Sequence, residues 1–356
     1  DLSEIKNATF AGLNHRLEAV TFHNKIGNQS YRVLEMRKIS AMVAKLLQVD
    51  SQTCDQATNL CKTDLTTQVV SEFPELQGVM GRIYCEVEGQ DESICNAVSD
   101  HYKPLTHNDE VPQEMVSVVV AIADRIFTLT SFWAIEEKPS GSKDPFALRR
   151  CAIGLIRILV EKRLDINLSD LLKKNLSSEI SEDLCQFLAE RFKVYLIEKG
   201  YAHDTIQACL TLVSFSNPYN LFIRVEQLEQ FRKTDSFLSL IDAYRRPNNI
   251  LVSEENKSSR KYELEPSVKL FSTNHESKLM GQLVSIEQLV KASLSNNDYL
   301  AAFQALADLN DVVEEFFENV VINSEIPSEK ENRLHLCNKV RTIMHSVAKF
   351  SELTVL

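Results

Sequence analysis

Apolar residues recur every three to four positions along most of the chain, and that spacing predicts helices. The period is clear in Leu13 to Phe22, Val33 to Leu47, Leu65 to Phe73 and Val116 to Trp133. Leu184, Phe187, Leu188, Phe192 and Leu196 mark another amphipathic helix, and Leu221, Val225, Leu228 and Phe231 the next. Towards the end, Val312, Val313, Phe316, Phe317, Val320 and Val321 form a broad face expected to be buried. Pro327 then interrupts the chain, and Ser328 with Glu331 reads as a capping box for a last helix. That helix carries Leu336, Val340, Ile343, Met344, Val347 and Phe350, with His335, Asn338, Lys339 and Arg341 on its polar side. Turn signals fall at Gly27–Asn28, Phe73–Pro74 and Lys138–Pro139–Ser140–Gly141. No internal repeat or low-complexity tract interrupts the pattern, so the expected fold class is all-α and multi-helical.

The stretch Gly141 to Arg150 carries the most local information. Asp144 is a good N-cap and Pro145 suits a first helical turn, which predicts a helix from Pro145 to about Arg163. Leu148, Ala152, Leu155 and Leu159 form its apolar stripe, flanked by Ile153, Ile156 and Val160. Arg150, Gly154 and Arg157 project to the opposite side. Two guanidinium groups beside a glycine suit close approach by a phosphate backbone; the alternative is a solvated face with an Arg157–Glu161 pair. Arg149 projects towards the apolar side, and we expect it to pair with Asp64 or Asp124 unless its stem carries the charge out to water.

Composition narrows the class. A chain of 356 residues with 44% hydrophobic residues and only 9 Gly and 9 Pro fits a compact helical protein of two or three domains. It starts at Asp1 rather than a methionine, as a fragment would. The 8 cysteines show no CxxC pair and no zinc-finger spacing, so reduced core thiols are expected at Cys151, Cys185 and Cys209, and a buried structural thiol at Cys61. No secretory leader is visible, and a cytoplasmic location is expected. The longest apolar run, Met115 to Ile135, is broken by Asp124 and Arg125, which favours a buried helix over a membrane span.

Net charge is −11, yet it is unevenly spread. Residues 1–137 carry 11 basic and 20 acidic side chains, whereas 138–163 carry 7 and 2, and 245–261 carry 5 and 2. Two basic bands on an acidic body can hold a polyanion there and repel it elsewhere. Residues 262–356 return to 8 basic against 14 acidic. No catalytic triad, phosphate-binding loop or dinucleotide fingerprint is present, and no synthetase adenylation motif.

Several blocks resemble one family. Gly141 to Arg150 resembles the signature of the β subunit of bacterial glycyl-tRNA synthetase, and Lys62 to Arg82 resembles a second block of it. Ala121–Ile122–Ala123–Asp124–Arg125, Asp204 to Ala208, Phe231–Arg232, Asn248 to Leu251, Glu315 to Val320 and Asn332–Arg333–Leu334 follow in the family's order. The family's β subunit also has an N-terminal part with no counterpart here. At Phe127 the family usually has an acidic residue, and Asn323–Ser324 replace a usually acidic pair.

The resemblance implies an HD-like helical domain over residues 1–163, a helical linker over 164–251, and a helical anticodon-binding domain over 252–356. The polar run Val252 to Lys261 is expected to be a mobile boundary. It further implies that glycine and ATP, with Mg2+, are handled by a separate or fused α subunit, leaving no catalytic residue and no cofactor in this chain. Its partners would be tRNA(Gly) and that α subunit, with no DNA and no membrane. Lys143, Arg150 and Arg157 would meet backbone phosphate; Asn332, Arg333, Lys339 and Arg341 would face the anticodon arm, approached by Arg245 and Arg246. Lys339 also reads as an ordinary surface lysine, and Arg333 as a residue near the apolar face.

HD-type phosphohydrolases need a histidine, an adjacent His–Asp pair and a later Asp around a metal. Here the pair is Thr63–Asp64 and the later position Asp124, with His23, His101 or His107 left to complete a set. Threonine does not replace an imidazole, so no metal is expected. The alternative functions are such a metal-dependent phosphohydrolase, or a helical scaffold that binds only protein.

Overall fold

The computed structural model of the chain describes residues 9–211 and 215–354. The fold is all-α; among the described residues the only named strands are a short antiparallel ribbon of Thr21–His23 with Gly27–Asn28. The chain forms two compact units. One runs to Tyr195 and includes Phe215–Tyr219; the other holds Leu196 onward apart from that segment.

The first unit is built around the helix Met115–Ala134. Its sequence is apolar on all sides, so it is stable only when enclosed. The helices Gln29–Leu47, Ser51–Leu60, Glu92–Asp100 and Leu148–Glu161 pack around it. By length and composition the central helix would qualify as a membrane span, but 78% of that window is buried inside the protein. Asp124 and Arg125, at its middle, are buried too and find their partners within this unit. Gly81 marks a close approach of two helices: a Cβ there would lie 2.6 Å from Val98 Cγ1 and 3.1 Å from the Asp64 carboxylate.

In the second unit, the helices Ser236–Ser258, Asn274–Ser295, Tyr299–Ala307, Asn310–Asn319 and Pro327–His345 pack into a bundle. The polar run read as a mobile boundary is helical as far as Ser258. Its Glu254 and Glu255 are buried and ion-paired, Glu254 with Lys257 and Lys330, Glu255 with Lys261 and Arg341. Val312, Val313, Phe316, Phe317 and Val320 are buried as their spacing implies. Val321 is 71% exposed, because the helix ends at Asn319 and Val320 is already extended, which breaks the period. The expected Ser328–Glu331 box does not form: Pro327 opens the last helix without a side-chain cap, and Glu331 bonds Arg260 at 2.8 Å. A capping box does form at Thr273 and Glu276.

All eight cysteines are unpaired in disulfides. Cys61 and Cys209 are buried and Cys151 and Cys185 half-buried, and burial pushes the Cys61 thiol up to about 12, as suits an inert core residue.

Candidate functional site

Thr63, Asp64 and Asp124, the positions compared above with an HD-type metal set, are buried in the first unit, and one of them, Asp124, meets an ammonium group. Lys62, fully buried, places Nζ 2.8 Å from His101 Nε2 and 3.2 Å from Asp124 Oδ2. The other oxygen of Asp124 accepts from Arg32 at 2.6 Å. Thr63 turns its hydroxyl to Asn14, and Asp64 accepts the Gly78 amide at 2.6 Å. His23 lies against Phe132 and Phe146, and His107 is exposed. Burial tends to raise the Asp124 carboxyl, but Arg32 and Lys62 outweigh it and hold the group well below the usual carboxylate range. Burial, with Arg32 close by, pushes Lys62 down to about 8, and burial beside Lys62 keeps His101 well below its ordinary value. A divalent ion does not fit this set, because its two best donors already share one cation and the carboxylate is saturated by a second. Among the described residues, no three His, Cys, Asp or Glu side chains come together as a metal site. The described residues thus give the phosphohydrolase reading no support.

The predicted basic helix begins three residues later than Pro145. Ala147 takes a left-handed conformation and the helix spans Leu148–Glu161. Asp144 still caps it, accepting from the amides of Leu148 at 2.8 Å and Arg149 at 2.9 Å. Arg149 pairs with neither Asp64 nor Asp124; its Nη2 donates to the Gly141 carbonyl at 2.7 Å and closes the turn that precedes the helix.

The structure separates the three cations assigned to this ledge. Lys143 and Arg150 are exposed. Arg157 is buried, with its guanidinium on the carbonyls of Thr106, His107 and Asp109 and on the Glu161 carboxylate at 2.9 Å. The Arg157–Glu161 pair thus forms on a covered side of the helix. Gly154 is buried as well, and serves Arg125: a Cβ there would lie 2.8 Å from Arg125 Nε. Arg125 itself bonds the carbonyls of His101, Tyr102 and Lys103, so two arginines together strap the segment from His101 to Asp109 onto the core.

In the second unit the predicted residues divide the same way. Asn332 is buried and makes a reciprocal pair of bonds with the Ser267 backbone, 2.7 and 3.0 Å. Arg333 is buried against Glu276 at 2.9 Å, and also donates to the Val321 carbonyl and the Ser272 hydroxyl. Lys339 bridges Glu265 and Glu287. Arg341 bonds Glu255 at 2.7 Å and Asn338. Arg245 and Arg246 are exposed or nearly so beside a groove of about 470 Å³, where the Arg246 guanidinium stands 4.7 Å above the Phe317 ring.

A larger groove of about 800 Å³ brings Arg341 and Asn338 together with Tyr244, Asn248, Lys261 and His345. Sequence reading placed Phe317 on a buried face and assigned Tyr244 and Lys261 no individual role. Their one available signal was a planar or basic residue beside a basic band, which is common on any surface. Tyr244 Oη lies 3.1 Å from His345 Nε2. Burial, with Arg341 and Lys349 nearby, pushes His345 down to about 4 from 6.5. Between those values the unfolded chain holds the extra proton and the folded chain does not, so stability is full above 6.5 and falls as the solution is acidified towards 4. We expect His345→Gln to flatten the fall in melting temperature between pH about 7 and about 5, measured by circular dichroism. An unchanged slope would remove His345 from this account.

Taken together, these features describe an all-α chain ending in a helical bundle with exposed arginines and a polar groove. Residues 240–354, which cover that bundle, match the family model described as the DALR anticodon binding domain. Residues 4–211 match the model for the glycyl-tRNA synthetase beta subunit. The chain belongs to the glycyl-tRNA synthetase beta subunit family. It is similar to the glycine–tRNA ligase beta subunit of Ruegeria sp. (strain TM1040), 38% identical over 334 residues that make up 94% of this chain and 49% of the relative. The beta subunits of Paracoccus denitrificans (strain Pd 1222) and Phenylobacterium zucineum (strain HLK1) are 37% and 38% identical, over 99% and 95% of the chain and 51% and 50% of their own lengths. The chain thus spans about half the length of the curated relatives it matches.

Proposed function

We propose that this chain is the tRNA-holding part of a glycine–tRNA ligase beta subunit, acting in the cytoplasm. It presents tRNA(Gly) while an α subunit, separate or fused, joins glycine to it with ATP and Mg2+. The observation that carries this reading is the coincidence of the anticodon-binding match with a bundle that keeps Arg245 and Arg246 exposed beside a groove. Guanidinium groups are the chemistry that takes phosphates and base edges from single-stranded loops.

In this reading the HD-like region, residues 1–163, meets backbone phosphate through Lys143 and Arg150. The helical stretch 164–251 leads to the anticodon-binding region, 252–356, approached by Arg245 and Arg246. Lys339 and Arg341 border the larger groove and exchange a carboxylate partner for a phosphate or base edge when RNA arrives. Arg157, Asn332 and Arg333 support binding by shaping the segments beside those surfaces. The catalytic contribution is positional: binding far from the reacting ends supplies the energy that aligns the terminal adenosine.

Filter binding to tRNA(Gly) and to a second tRNA, across a salt series, tests the reading. Tighter binding of tRNA(Gly) is expected. Neutralising Lys143, Arg150, Arg245 or Arg246 should lower the slope of log affinity against log salt by about 1 for each cation–phosphate pair removed. Equal, salt-insensitive binding of both RNAs would refute it and favour a scaffold that binds only protein.

A further inference from the structure

Lys62 is among the largest side chains completely enclosed in the protein, and every face of its ammonium group meets a partner. His101 Nδ1 lies 3.2 Å from the Ala97 carbonyl, which fixes Nδ1 as the donor and leaves Nε2 to accept from Lys62 at 2.8 Å. A second N–H reaches Asp124 Oδ2 at 3.2 Å. The Tyr102 ring covers the remaining side, with its centroid 4.0 Å from Nζ. One imidazole nitrogen, one carboxylate oxygen and one ring face match the three N–H bonds of a primary ammonium. They suit a hard divalent ion poorly, since such an ion takes six or more oxygens and gains nothing from a ring face. Charge points the same way. Asp124 is the single carboxylate in this cradle and already holds Arg32, so a divalent ion in place of Lys62 would leave more positive charge enclosed.

We propose that the His101–Asp124–Tyr102 cradle is a primary-ammonium site whose ligand, the Lys62 side chain, is tethered to the chain. The first unit therefore keeps its core geometry with no divalent metal. The lysine acts as a built-in cation that fixes Asp124 and the start of the His101–Asp109 segment. This inference rests on the core geometry alone and stands whether or not the chain binds tRNA.

The test uses the full chain and Lys62→Ala, which removes the equivalent of one propylammonium. The wild-type melting temperature should be the same with EDTA, MgCl2 or MnCl2. Lys62→Ala should melt about 10 °C lower, because Asp124 and His101 lose their buried partner. Propylammonium chloride should recover at least half of that loss, while 1-propanol and tetramethylammonium chloride at equal concentration recover none. Lys62→Met, which fills the space without charge, should show no recovery with the amine. Should Lys62→Ala fail to fold, refolding from denaturant with amine or with alcohol gives the same comparison, and recovery only with the amine supports the site. A wild-type protein destabilised by chelator, or a variant that amine and alcohol affect alike, would overturn it.

Discussion

Replacing Arg333 with methionine should lower the melting temperature of the second unit by about 10 °C, the largest single effect expected in the bundle. Arg333 is the only cation bonded to Glu276 among the described ion pairs, and the Glu276 side chain is fully enclosed. Removing one member of a buried pair leaves the other charge uncompensated, a cost of about 3–5 kcal/mol. The effect spreads beyond the pair, because Glu276 also forms the capping box of the helix Asn274–Ser295 and Arg333 ties down the Val321 carbonyl. Arg333→Met combined with Glu276→Leu should recover more than half of the loss, since replacing both partners removes the stranded charge. Burial opposes ionisation of Glu276, but Arg333 and the Thr273 bonds prevail and hold it below 4.5. Its contribution is thus complete above 4.5 and fades on acidification through the lowered value, a decline that Arg333→Met should make shallower. Thermal melts of the four proteins across pH decide the matter, and a single variant as stable as wild type would contradict it.

The second large effect is expected in the first unit. Asp124→Asn keeps the shape of the side chain yet strands two enclosed cations, Arg32 and Lys62, at a cost of about 3–5 kcal/mol. Chemical unfolding followed by tryptophan fluorescence suits the measurement, because Trp133, the chain's one tryptophan, lies on the same helix and is buried. A midpoint equal to that of wild type would show that the aspartate is not what holds the two cations.

These two positions also show where sequence reading succeeds and where it stops. The helices and their buried faces were legible because a 3.6-residue period is a local property: the stripe of Leu148, Ala152, Leu155 and Leu159 is buried as read. Thr63, which cannot replace an imidazole, already argued against a metal set in the sequence. The burial of Lys62 was not legible, since a lysine reads as a solvent residue, and its partners His101 and Asp124 lie 39 and 62 positions further on.

The same blindness to long-range pairing explains Arg157, Asn332 and Arg333. Arg157 was offered to phosphate for its place beside a glycine, and Asn332 and Arg333 to the anticodon arm through the resemblance, with Arg333 also read as lying near the apolar face. Each is enclosed because distant carbonyls or a carboxylate meet it: Thr106 to Asp109, Ser267, and Glu276. A glycine between two arginines resembled an opening for phosphate, whereas Gly154 makes room for Arg125. By contrast Lys143, Arg150, Arg245 and Arg246 remain at the surface, which is why the proposed RNA contacts rest first on them.

The most direct test of that surface is glycylation by the complete ligase of the proposed reading, carrying Lys143→Ala, Arg150→Ala, Arg245→Ala and Arg246→Ala together. The predicted result is a KM for tRNA(Gly) raised about tenfold or more, with glycine-dependent pyrophosphate exchange unchanged. An unaltered KM for tRNA in a correctly folded assembly would contradict the account.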